Sequence, residues 1–202
     1  MAMDELAKWE SRYLGADEPF YGVEPSQFLQ RSLAQLPAGG RCLDLAGGEG
    51  RNAIFLAARG WNVTLIDGAW AGVTRARSLA AKRGVAVNLV VGDLRRFATF
   101  PFRDGFDLVL IVNYHNRELL AAACDWLHPG GAVLLEGFAR EQLGRSSGGP
   151  QDLDQLWGPN EVADLLRPLR LVWFEDRLVT VDDNPRHRGE KWVVRAIARR
   201  GR

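Results

Sequence analysis

Apolar positions along the chain follow two alternating rhythms. Short, nearly unbroken apolar runs end in a carboxylate or a glycine, and between them apolar residues recur at three- and four-residue spacing. The runs predict strands over 41–45, 62–66, 85–91 and 106–112, and the spaced stretches predict helices over 52–59, 73–83 and 118–127. A fifth strand, 132–138, follows the turn Pro129-Gly130-Gly131. Ahead of these lie a charged, aromatic helix over 4–14 and an irregular stretch over 15–25. A second helix then runs from Gln27 to about Leu36, with Ser26 as its N-cap and Phe28, Leu29, Leu33 and Leu36 on its apolar face.

The last fifty residues change character. A Gly/Ser-rich loop over 144–150 leads to a short helix over 161–166, capped by Asn160. Two β-rich runs, 169–181 and 191–198, are joined by Asp182-Asp183-Asn184-Pro185 and pair antiparallel as a hairpin at the sheet edge. Apolar strands alternating with helices mean a parallel sheet covered on both faces. The expected class is α/β: a three-layer, Rossmann-like, seven-stranded, mostly parallel sheet with a C-terminal antiparallel hairpin. One domain, 1–202, is expected, with 1–38 a helical lid segment and 39–202 the core.

Composition narrows the function classes. A hydrophobic content of 47% and a charged content of 25% are ordinary for a soluble globular chain of 202 residues. A formal net charge of +1 gives no footprint for nucleic acid or an anionic membrane. The basic cluster Arg195, Arg199, Arg200 and Arg202 reads as a solvated edge and tail. No apolar run approaches the ~20 residues of a membrane span, and Met1-Ala2-Met3-Asp4-Glu5 is unlike a signal peptide. Cys42 and Cys124 cannot form a disulfide framework or supply most of a metal site. The expectations are a cytoplasmic monomer or homodimer with a small-molecule partner, no metal, no nucleic acid and no membrane.

The chemistry concentrates in Cys42-Leu43-Asp44-Leu45-Ala46-Gly47-Gly48-Glu49-Gly50-Arg51-Asn52. A strand closes on a carboxylate, passes through three glycines and enters a helix, the local geometry that cradles a nucleotide-like ligand. Glycines let backbone N–H groups approach the ligand, and the helix N-terminus favours its negative end. Asp67, closing the next strand, can accept two hydrogen bonds from a ribose diol, which points to an adenosine-containing cofactor. NAD requires G-x-G-x-x-G, but Arg51 stands where the last glycine belongs, and no phosphate-binding G-x-x-x-x-G-K-[S/T] occurs. S-adenosyl-L-methionine carries no phosphate. It needs a carboxylate near its ammonium, N–H donors for its carboxylate, a ribose clamp and an adenine contact. Asp44, the amides of 48–50, Asp67 and Asp93 meet those needs in that order.

These residues belong to a longer ordered series. It includes Trp9-Glu10-x-Arg12-Tyr13 with Tyr21-Gly22-x-Glu24-Pro25, residues 43–53, residues 64–67 and Leu127-x-Pro129-Gly130-Gly131. It continues through Glu136-Gly137-Phe138, Gln142-Leu143 with Gly148-Gly149-Pro150, and His187-Arg188-Gly189. The series resembles the class I S-adenosylmethionine-dependent methyltransferases. More narrowly, it resembles the bacterial methyltransferases related to the tellurite-resistance protein, over nearly the whole chain. The resemblance implies methyl transfer to a small molecule. By position it assigns cofactor contacts to Asp44, Ala46, Gly48, Gly50, Asp67, Asp93 and Leu94, with Asn113 and Tyr114 beneath the sulfonium.

Two departures stand out. Ala46 replaces the first glycine, which asks that it keep φ below zero. Gly68-Ala69 follows Asp67 where the family has an apolar residue and a serine cap, so adenine loses a packing face that Trp70 either replaces or leaves open. They leave room for a second reading, a non-catalytic methyltransferase-like module that binds the cofactor.

A soft anionic acceptor such as a thiolate, a selenide or a tellurium oxyanion needs no general base, whereas an amine or hydroxyl does. His115, just past the fourth strand, is the candidate catalytic base; its other reading is a helix-capping or hydrogen-bonded loop histidine. Tyr13 and Tyr21 are substrate-side candidates that either close over the cofactor as a lid or simply pack the N-terminal segment. His187 and Arg188 fall in the hairpin loop, where Arg188 either forks onto an anionic substrate or is solvated.

Overall fold

The computed structural model describes residues 2–99, 102, 105–182 and 188–201. The strands are β1 (Arg41–Leu45), β2 (Asn62–Asp67), β3 (Asn88–Val91), β4 (Phe106–Val112), β5 (Leu127–Phe138), β6 (Arg170–Val181) and β7 (Gly189–Arg199). They form one sheet in the order β3-β2-β1-β4-β5-β7-β6. The first five strands are parallel. Strand β7 pairs antiparallel with β5 and with β6, so the C-terminal hairpin ends the sheet as expected.

The helices are α1 (Ala2–Leu14), α2 (Gln27–Arg31), α3 (Arg51–Ala57), α4 (Trp70–Lys82), α5 (Arg117–Ala123) and α6 (Glu161–Leu165). The strands read as unbroken apolar runs because both faces are covered. On one face, Phe28, Leu56 and Val73 of α2, α3 and α4 pack with Leu65, Leu110 and Leu134. On the other, Leu119 and Val162 of α5 and α6 pack with Val109, Leu135 and Ala196. No helix among the described residues is long and apolar enough to cross a membrane.

Boundaries depart from expectation where local hydrogen bonds intervene. The helix expected over 27–36 breaks at Ser32 and continues as the 3-10 turn Leu33–Gln35. Leu36 then turns extended ahead of Pro37, which disfavours a helical predecessor. Strand β3 starts at Asn88 because Val85 instead donates its N–H to Ala80 at 3.1 Å and closes α4. The turn Pro129-Gly130-Gly131 lies within β5: Leu127 pairs with Phe106 and Ala132 with Leu108, and the residues between bulge outward. Asn160 occupies the position before α6, but its side chain makes no capping bond.

A buried ionic row crosses the hairpin. Glu136 on β5, Arg195 on β7 and Glu175 on β6 stand in register. Arg195 bonds Glu136 at 2.6 Å and Glu175 at 3.0 Å. Ser26 caps α2 by accepting from Phe28 and Leu29, and its hydroxyl donates to Glu136. The row therefore anchors the N-terminal segment to the sheet beside the carboxyl ends of the parallel strands.

Candidate active site

Asp44, near the end of β1, is 1% exposed, and its Oδ2 has no hydrogen-bond partner. Burial pushes its pKa from the usual carboxylate range up to about 7. The Asp67 carboxylate pushes the same way, while Arg51 and the Ala53 amide pull it back. Asp67, at the end of β2, accepts the N–H groups of Gly48 and Ala69, each at 2.8 Å. Burial raises its pKa as well, against those two donors.

The glycine loop lies directly before these acids. A Cβ on Gly47 would stand 2.6 Å from Leu65 and 3.0 Å from Oδ2 of Asp44, so only glycine leaves that carboxylate approachable. The amides expected to face the cofactor are partly engaged: Gly48 donates to Asp67, and Gly50 donates to Gly47 at 2.9 Å. Ala46 does not keep φ below zero. It sits at φ 56, in the left-handed region, which strains an alanine by about 1–2 kcal/mol. Ala46→Gly is therefore expected to stabilise the protein by about 0.5–1 kcal/mol after the entropy cost of glycine. Urea melts check this, and a fall in the unfolding midpoint would contradict the strain.

Helix α1 covers the loop. Tyr13 is 5% exposed, and its hydroxyl lies 2.6 Å from where a Cβ on Gly48 would stand; its ring lies 2.9 Å from the same point on Gly72. Tyr13, a substrate-side candidate, thus packs against the glycine loop and the start of α4. Glu10 accepts the Ala71 N–H at 3.0 Å. It supplies from α1 the cap that α4 lacks, since Ala69 makes no side-chain cap bond. Leu6 lies against Gly68, whereas Trp70 is 61% exposed. Trp9 packs with Tyr13, Phe20 and Tyr21, so Tyr21 sits in this aromatic cluster. The Phe20 N–H donates to Glu49 at 2.6 Å, which fixes the segment after α1 onto the loop.

The remaining candidates divide. Asp93 follows β3 and is gripped by Arg95 at 2.7 and 2.6 Å, which lowers its pKa. Leu94 is buried in the core. Asn113 takes φ 58 at the end of β4 and donates its N–H to Glu136 at 2.7 Å. Burial raises the Tyr114 hydroxyl pKa, with Glu5, Asp93 and Asp67 adding to it and a hydrogen bond with Asn116 opposing it. His115 is half-buried with its ring 4.2 Å from Trp157, and its Nε2 is buried without a partner. Burial and Arg117 lower its pKa, so the imidazole is neutral at pH 7. The helix cap is its neighbour Asn116, which accepts the Leu119 N–H at 2.8 Å. Arg188 is 69% exposed and pairs with Asp182 at 3.2 Å, as a solvated arm does. His187 lies outside the described residues.

Sequence reasoning gave no role to Glu10, Glu49 or Gln142. The buried Gln142 donates to Gly148 O at 2.6 Å and accepts the Trp192 N–H at 2.7 Å, stapling the Gly148-Gly149-Pro150 loop to β7. Its place in the motif series was the available signal. Among the described residues, no group of three or more His, Cys, Asp or Glu could hold a metal ion.

Residues 42–131 match the family model described as a methyltransferase domain. The fold of the chain is shared with solved S-adenosylmethionine-dependent methyltransferases. A protein solved in work on conversion of a disulfide bond into a thioacetal group during echinomycin biosynthesis superposes with a TM-score of 0.76 at 16% identity, covering 98% of this chain and 92% of that one. TehB from Haemophilus influenzae gives 0.68 at 15%, covering 86% of this chain and 61% of its own. A methyltransferase from Methanosarcina mazei gives 0.66 at 16%, covering 89% and 99%. No curated protein matches the sequence significantly. The residues fit the cofactor of those enzymes on local grounds: Oδ2 of Asp44 is a buried acceptor without a partner, and Gly47 leaves its approach open.

Proposed function

We propose that the domain transfers the methyl group of S-adenosylmethionine to a small molecule, with a soft anion (thiolate, selenide or tellurium oxyanion) as the acceptor class. The observation that carries this is the buried, unpartnered Oδ2 of Asp44 behind the glycine loop. When bound, the cofactor supplies an electrophilic methyl group on a sulfonium, which departs as a neutral thioether. The chain's own residues then bind and orient. Asp44 holds the ammonium, Asp67 offers its remaining lone pairs to the ribose, and α1 excludes water. Holding both reactants at attack distance can supply about 7–11 kcal/mol of the acceleration. A soft anion needs no deprotonation, and the end of β4 offers one modest base, the neutral His115 with its free Nε2. The echinomycin-pathway neighbour, itself concerned with sulfur chemistry, supports the soft-acceptor class. Tyr13 over Gly48 favours the rival reading, a cofactor-binding module without turnover.

Titration calorimetry with S-adenosylhomocysteine, followed by product-release assays on thiols, selenite, tellurite, phenols and amines, tests both. Thiol or chalcogen turnover is expected to change less than about threefold in His115→Gln, and any phenol or amine turnover to fall about 100-fold. No binding at millimolar ligand with the fold intact would defeat the cofactor reading. Binding without transfer to any member of the panel would favour the module.

A further inference from the structure

The loop after β5 and the start of β7 enclose an open cleft of about 450 Å³, whose walls include Arg145, Ser147, Arg188 and Glu190. Strand β7 runs antiparallel to β5, with Val193 opposite Phe138, so the cleft lies toward the carboxyl ends of the parallel strands. Its frame is fixed. Gln142 holds the loop through Ser147 and Gly148, and the Ser147 hydroxyl donates to Glu190 O at 2.6 Å. Arg145 is held as well: its Nε donates to Glu141 O at 3.0 Å, and its guanidinium lies 5.7 Å from the Trp192 ring centre. Lys191 is buried, whereas Glu190 and Trp192 on either side of it are not, so these two share the opposite face of β7. Two residues of strand rise set Glu190 about 7 Å along from Trp192 and the cation stacked on it. A guanidinium and a carboxylate thus line one cleft without pairing to each other. Among the described residues, the Nη groups of Arg145 and the carboxylate of Glu190 have no partner at all. Arg188, by contrast, is already paired with Asp182.

We propose that this cleft binds a free α-amino acid, its carboxylate on Arg145 and its ammonium on Glu190. Opposite charges held apart in one cleft are complemented by a ligand that carries both signs in the reverse order. A simple anion would meet repulsion from Glu190 and a simple cation from Arg145, so neither satisfies the pair. Charge-assisted bonds of about 2.8 Å at each end, with about 3 Å between the charged groups of an α-amino acid, span roughly 8–9 Å. A slightly bent approach fits that span to the separation along β7. A dipeptide adds about 3.5 Å and overshoots it. The ligand's side chain faces the open mouth, so the class is set by the zwitterion and not by the side chain. The cleft shares no residue with the glycine loop, and the proposal stands independently of the methyltransferase reading.

The test follows the backbone amide resonances of the isotope-labelled full chain during titration with L-norvaline, N-acetyl-L-norvaline and L-norvalinamide. Each titration is run with and without millimolar S-adenosylhomocysteine. Norvaline is expected to bind with a Kd of about 1 mM or below, shifting residues 145–148 and 189–192, and to do so equally in both conditions. Removing either charge from the ligand should weaken binding at least about fivefold. Arg145→Met should lower norvaline affinity to that of norvalinamide, and Glu190→Gln should lower it to that of N-acetylnorvaline. Both variants should melt within about 2 °C of the wild type. Should Arg145→Met loosen the loop, Glu190→Gln, which keeps size and shape, decides alone. No norvaline-dependent shifts up to about 20 mM, equal affinity for the three probes, or unchanged norvaline affinity in Glu190→Gln would overturn the proposal. Shifts at residues 47–50 that S-adenosylhomocysteine abolishes would assign the amino acid to the cofactor loop and overturn it too. Failure to bind S-adenosylhomocysteine, with norvaline still bound at the cleft, strikes the methyltransferase reading alone.

Discussion

Asp44→Asn is expected to weaken S-adenosylhomocysteine binding about 100-fold and, at pH 8, to make the ligand-free protein more stable. Both effects come from one buried carboxylate with a free oxygen. In the folded protein Asp44 keeps its proton up to about pH 7, whereas an unfolded aspartate releases it near pH ~3.9. Between those values the folded state binds more protons. Its contribution to stability therefore falls as pH rises from about 4 to about 7, and the penalty, a few kcal/mol at most, is complete above that window. Ligand binding has the opposite sign. On the proposed reading the cofactor's ammonium pairs with the ionised carboxylate, so affinity climbs between about pH 5 and 7 and then levels off. Asparagine removes both slopes and the charge-assisted bond, worth about 2–3 kcal/mol. Calorimetric titrations and urea melts between pH 5 and 8.5, taken as wild type minus variant, isolate Asp44 from other titrating groups. A pH-independent difference in affinity would remove Asp44 as the ammonium's partner.

What could be read from the sequence was whatever a local run of residues decides. The apolar runs of β1 and β2 ending in Asp44 and Asp67, the Ser26 cap and the two-run hairpin needed only neighbouring residues, and the structure contains all of them. Other features depend on distant partners. Glu10 caps α4 across a separation of 61 residues, and no spacing rule announces that bond. Asp93 was correctly placed at a strand end, yet Arg95, two residues on, occupies its carboxylate. Tyr13 was readable as a lid candidate, but its seat between Gly48 and Gly72 required the fold. For Lys191 the sequence shows only a lysine in a β-rich run; the pairing with Val179 turns it inward. The φ of Ala46 defied its residue type because the turn between β1 and α3 imposes it.

Arg195→Met is expected to destabilise the protein by about 3–5 kcal/mol, because it takes the guanidinium partner from the buried Glu136 carboxylate and one of three from Glu175. The guanidinium bonds Glu136 at 2.6 Å and Glu175 at 3.0 Å, and its own side chain is almost wholly buried. Glu175 shows the balance: burial raises its pKa, yet Arg177, Arg195 and Arg31 outweigh it and hold the group below the usual glutamate range. Arg31 and Arg177 remain available to Glu175 after the substitution, so the greater loss falls on Glu136. The Ser26 hydroxyl donates to that carboxylate and the Ser26 N–H to Asn52 at 2.9 Å, which ties the segment after α1 to the entrance of α3. Thermal unfolding should fall by about 6–20 °C, and hydrogen exchange should accelerate over residues 20–31 before the central strands respond. The triple replacement Arg195→Met, Glu136→Gln, Glu175→Gln removes all three charges at once and should recover more than half of the loss, since the cost lies in the unpaired charges. A single substitution within about 1 kcal/mol of the wild type would show that the row is solvated, and the N-terminal cover of the cofactor loop would then depend on α1 and the aromatic cluster alone.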